Sequence, residues 1–102
     1  MAVWVDNSRG SHFHRGRVMR LSHMIADSPD ELHDFAARIG LRPHWLQKPG
    51  TPHEHYDVTD CMRIRAINLG AIPIGAVAMG QKMLARDAAA AARRKVEDPE
   101  FL

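Results

Sequence analysis

Residues 28–40 read Ser-Pro-Asp-Glu-Leu-His-Asp-Phe-Ala-Ala-Arg-Ile-Gly, and this run spells one α-helix with both ends marked. Ser28 and Glu31 have the spacing of a capping box. Pro29 takes the first helical position, where its missing N–H costs nothing, and Asp30 and Glu31 place negative charge at the positive end of the helix dipole. Leu32, Phe35, Ala36 and Ile39 recur at i, i+3, i+4 and i+7, which gathers them on one face. Gly40 is the expected stop, since glycine adopts the left-handed C′ conformation without steric cost. Such an apolar stripe needs a second layer to cover it.

The flanking segments supply that layer. Ala2–Val5 is a continuous apolar run and predicts a buried strand ending at Asp6. Residues 7–17 are polar with two glycines and are expected to form a loop. Val18–Met24 reads as a second strand or an irregular lead into the helix, and Arg42–Gln47 as a short extended segment with Pro43 disfavouring helix at Arg42. Residues 48–54, with Pro49, Gly50 and Pro52, form a loop, and Tyr56–Val58 is extended. Thr59 or Asp60 caps a second helix running to Leu69, with Met62, Ala66 and Leu69 on one face and Gly70 as its stop. Ala71–Ile74 predicts a strand, at an edge because Pro73 has no ladder donor. Ala76 to about Lys95–Glu97 is helical, with the alanine run 88–92 and the basic Arg93-Arg94-Lys95 at its C-terminal end. The expected architecture is a small single-domain α/β layered fold over residues 1–102, with a short, mostly parallel sheet flanked by helices and a long C-terminal helix.

Composition bounds the function. The chain has 102 residues, 45% hydrophobic and 25% charged, which places it among ordinary globular domains and against extended disorder. The longest uncharged run, residues 66–81, is broken by Asn68, Pro73 and three glycines and is unfit to span a bilayer. One cysteine, Cys61, excludes an intrachain disulfide and a Cys-rich zinc module, and it reads as a small buried hydrophobe. The N-terminus lacks a basic region followed by an apolar one, so the expectation is a cytoplasmic protein without a membrane segment.

Net charge is +2, weak for a nucleic-acid binder, but it is unevenly spread. Residues 1–26 carry four arginines against Asp6, residues 27–60 three basic against seven acidic side chains, and residues 61–102 seven basic against four acidic. The centre is an acidic island holding His33, His44, His53 and His55, and this counts against a nucleic-acid partner.

Several short motifs, in order, resemble a known family. They are Val3-Trp4-Val5-Asp6, Ser22-His23-Met24-Ile25-Ala26-Asp27, Glu31-Leu32-His33-x-Phe35-Ala36 with Ile39-Gly40-Leu41, then His55-Tyr56-Asp57-Val58, Arg63, Ala66 and Gly70-Ala71. Over about residues 2–75 the chain is similar to the bacterial and phage family catalogued as domain of unknown function 4031, with the C-terminal helix outside the resembling core. The resemblance implies an α/β fold and a shared polar site, and no reaction.

The ionisable residues carry the functional argument. His55 and Asp57 lie on one face of an extended tripeptide and Tyr56 on the other, so the pair suits a general base with its orienting carboxylate or a two-ligand metal edge. His23 and Asp27 share a face whether their segment is helical or extended. His55, Asp57, His23 and Asp27 are therefore the candidate catalytic residues. Asp6, at the end of the first strand, is either a ligand position or a turn-forming Asx residue. His23, His55 and Asp6 form the candidate metal set, for a divalent ion. Arg9, Arg63 and Tyr56 are candidate substrate contacts, and His33 is secondary, a ligand or a satisfied half-buried histidine. The favoured function is a metal-assisted or His/Asp acid–base hydrolase for a phosphorylated or nucleotide-like small molecule. The alternatives are a nucleic-acid or nucleotide binding module, with Arg9–Arg20 on phosphates and Phe13, Trp4 and Trp45 stacking on bases, or a structural protein that forms a homodimer through its C-terminal helix. Met79 and Met83 fit a core or an interface.

Overall fold

The computed structural model describes residues 2–97, with side chains to residue 94. Its elements are β1 (Val3–Val5), β2 (Gly10–His14), β3 (Arg17–Ala26), α1 (Pro29–Ile39), a 3-10 turn (Pro43–Trp45), β4 (Tyr56–Thr59), α2 (Asp60–Asn68), β5 (Ile72–Pro73) and α3 (Ala76–Glu97). The predicted ends of α1 are all present. Ser28 Oγ accepts from the Glu31 N–H, and Gly40 sits at φ 92° with its N–H directed back to the last carbonyls. Thr59 caps α2 by accepting from the Met62 N–H.

The sheet is mixed and not mostly parallel. β3 is its spine. One edge of β3 pairs antiparallel with β1 and β2, the other antiparallel with β4, and only β1 with β5 is parallel. The departure comes from residues 7–17, which form a hairpin arm instead of a loop. Arg15 at φ 50° and Gly16 at φ 77° make a two-residue turn of the primed kind, whose twist matches paired strands. β2 is exposed on both faces, so no buried alternation announced it. Pairing shifts by two residues between β1 and β2, from Val5 opposite Met24 to Gly10 opposite Leu21, so Asp6–Arg9 bulges out of the ladder. β5 lies at the sheet edge, as Pro73 requires. Residues 43–45 form a turn where an extended segment was expected.

Strand alternation sorts the side chains into two layers. Val3, Val5, Met24, Ala26, Tyr56 and Val58 face α1 and α2 and build the main core with Leu32, Phe35, Ala36, Ile39 and Ala66. Trp4, His23, Ile25, His55 and Asp57 occupy the opposite parity. α3 lies against that second face. Met79 is buried there, the Lys82 ammonium stands 3.8 Å from the centre of the Trp4 ring, and the Arg86 guanidinium donates to the Ala26 carbonyl. His53 pairs with Asp87 at 2.8 Å and ties the 48–54 loop to the same helix. Cys61 is exposed, not buried: it falls on the outer side of α2, away from Ala66. Leu69 is also exposed, since it lies past the last turn of α2. Among the described residues no helix is long and apolar enough to cross a membrane.

Candidate metal centre

His23 lies directly opposite Asp57 across the β3–β4 ladder. His55 is one residue before β4, held by a bridge in which its N–H donates to the Gln47 carbonyl and its carbonyl accepts from the Gln47 N–H. These placements bring three donors together. One atom each from His23, His55 and Asp57 lie within 4.8 Å of one another. The two imidazoles meet edge to face with centroids 5.1 Å apart.

Each histidine has one nitrogen already engaged. His23 Nδ1 is 2.8 Å from Asp6 Oδ2. An ionised carboxylate only accepts, so Nδ1 carries the proton and Nε2 of the neutral ring carries the lone pair. His55 Nδ1 is 2.7 Å from the His53 carbonyl, which likewise only accepts, leaving Nε2 to face Asp57 Oδ1 at 3.3 Å. A neutral His55 would set a lone pair against a carboxylate. The contact is favourable only with a cation between them, either a proton or a metal ion. Burial disfavours a charged His55, but hydrogen bonds to Asp57 and to the His53 carbonyl outweigh it and raise its pKa. The bond from His55 in turn holds the Asp57 carboxyl below its usual range.

Asp6 is a supporting residue in this arrangement. It is 1% exposed and receives hydrogen bonds from the His23 N–H at 2.8 Å and the Ser8 hydroxyl at 2.9 Å. Burial alone would raise its pKa, yet these donors hold it below the usual range. The bulge after β1 turns the carboxylate back onto His23, so Asp6 holds the His23 ring and lies outside the three-residue cluster. Carboxylate–histidine support of this kind fixes the ring and raises its basicity as a ligand. Arg63 braces the bulge by donating to the Asp6 carbonyl at 2.6 Å.

The remaining sequence candidates lie elsewhere. Asp27 shares a face with His23, but four residues of strand separate them by roughly 13 Å, and its carboxylate accepts from the Ala2 N–H at 2.7 Å. Asp27 instead lines, with Arg86, a cleft of about 660 Å³ between the start of α1 and the second half of α3. The lining of that larger cleft includes no histidine. Arg9 makes two hydrogen bonds to Asp60, at 3.0 and 2.8 Å. Tyr56 is buried on the core side of β4, its hydroxyl 3.1 Å from His33 Nδ1.

The smaller cleft, about 330 Å³, is lined by Asp6, Ser8, His23, Lys48, His53, His55 and, from α3, Ala76, Met79, Gly80 and Met83. Ser8, Lys48 and His53 were not singled out from the sequence. Ser8 carried a signal, being two residues after Asp6 in Asx-turn spacing; Lys48 and His53 arrive only through the folding of their loop.

The sequence profile of a family described as a protein of unknown function, DUF4031, matches residues 3–88. The chain belongs to this family. The DUF4031 match runs past residue 75 and takes in the first half of α3, including Met79 and Met83 that roof the cleft. None of the curated proteins and none of the solved structures gave a match.

Proposed function

We propose that the chain binds a divalent metal ion through His23 Nε2, His55 Nε2 and an Asp57 oxygen, and uses a metal-bound water to hydrolyse a phosphorylated or nucleotide-like small molecule. One observation carries this reading: three convergent donors, with the second nitrogen of both imidazoles held by an acceptor. Two histidines and one carboxylate, with coordination positions left for water and substrate, are a donor set of hydrolytic zinc sites. A dication held by His55 and Asp57 would supply the positive charge that their contact requires. Lys48 lines the cleft close enough for its charge to act on His55, and supplies a cation for a substrate phosphate.

A second reading rests on the two His–Asp pairs themselves. Asp6 with His23 and Asp57 with His55 are each arranged for acid–base work without a metal, the first pair at 2.8 Å.

The test is metal content by plasma mass spectrometry after exposure to zinc or manganese and desalting, for wild type, His23→Ala, His55→Ala and Asp27→Asn. Near-stoichiometric metal in wild type and Asp27→Asn, lost in both histidine variants, is the expected result. A metal-free wild type with chelator-resistant phosphoester hydrolysis would replace this reading with the acid–base one.

A further inference from the structure

The outer part of the β2–β3 arm, residues 10–21, does not line the cleft. Residues 7–26 contain no Asp or Glu but four arginines. Arg9 is neutralised by Asp60. Among the described residues no ion pair joins Arg15, Arg17 or Arg20 to a carboxylate; Arg20 donates to the Ser11 hydroxyl and lies close enough to Asp60 for its charge to act there. Every residue of β2 is exposed. Phe13 is 77% exposed and its cross-strand partner Val18 is 65% exposed, close to the tip of the arm. The two side chains face each other across the ribbon and form one exposed apolar pair.

The pleat organises these groups. Phe13, Val18, Ser11 and Arg20 share one face, His12, His14, Met19 and Arg17 share the other, and Arg15 occupies the turn. Arg20 thus shares the face of the aromatic ring, Arg15 stands at the turn beyond it and Arg17 projects from the opposite face. We infer that the arm is a binding site for single-stranded nucleic acid, with Arg15, Arg17 and Arg20 on phosphates and Phe13 stacked on an unpaired base. Charge complementarity selects the partner: a polyanion with apolar flat faces satisfies both the cations and the ring. The acidic island that lowers the net charge lies outside the arm, on the segment from α1 to the start of α2, so the whole-chain value of +2 understates the local charge.

The test is fluorescence anisotropy with a labelled single-stranded oligonucleotide, in EDTA so that the outcome does not depend on the metal site. Three phosphate contacts predict a slope of log K against log salt of about −2, so affinity falls about 20-fold between about 50 and 200 mM salt. Arg15→Ala with Arg17→Ala lowers the slope to about −0.7. Phe13→Ala weakens binding about 5- to 150-fold. All three positions are exposed, and circular dichroism checks that the variants fold. Absence of binding, binding equal in the variants, binding confined to the duplex, or binding to phosphatidylserine vesicles in place of the oligonucleotide would each overturn the inference.

Discussion

Asp6 holds His23 twice: one carboxylate oxygen is 2.8 Å from the ring Nδ1 and the other is 2.8 Å from the backbone nitrogen. The ring and the strand that carries it are therefore positioned by a single buried group. Asp6→Asn keeps the volume but offers only one acceptor oxygen, so one of the two bonds is lost or reversed. The expected outcome is metal affinity about 10- to 100-fold weaker with little change in fold. Calorimetric titration of zinc into both proteins measures it.

Tyr56 sits between His55 and Asp57 in sequence but on the far side of the sheet from both. Tyr56→Phe removes the hydroxyl that meets His33 Nδ1, and a lost hydrogen bond of this kind costs about 1 kcal/mol. Metal stoichiometry stays at the wild-type value. Urea denaturation gives the first number and metal analysis the second; reduced metal in this variant would place Tyr56 in the site.

Met79 is buried where α3 roofs the cleft. Met79→Ala opens a cavity on the second face of the sheet and costs about 2–5 kcal/mol. Thermal unfolding followed by circular dichroism reports the loss. Since all three proposed ligands reside on or beside β3 and β4, metal-loaded Met79→Ala regains part of that stability.

Asp60 has its pKa lowered from the ordinary 3.8 by the hydrogen bond from Arg9. A carboxyl lowered in the folded state contributes stability above its unfolded value and loses it as pH falls through the folded value. The stability difference between wild type and Arg9→Gln is therefore constant near neutrality, shrinks below about pH 4 and disappears beneath the folded Asp60 value. Urea midpoints across an acid pH series give this profile. A difference unchanged at the acid end would separate Arg9 from Asp60 energetically.

What the sequence alone determined is local. The ends of α1 follow from Ser28, Pro29 and Gly40, its buried face from a 3.6-residue repeat, and the opposed faces of His55-Tyr56-Asp57 from the two-residue pleat. Each depends on neighbours a few positions apart, which a chain can specify without knowing its fold. Tertiary structure decided the rest. The mixed sheet rests on a turn at Arg15-Gly16 whose strands bury nothing, so hydrophobic alternation could not reveal it. Face parity united His23 with Asp27 in principle, but β3 pairs with β4 at His23 and ends before Asp27, so only His23 meets Asp57. Asp6 came to hold the His23 ring because a two-residue bulge redirected its carboxylate. These outcomes depend on which strands pair and in what register, and register is fixed by contacts between residues far apart in the chain.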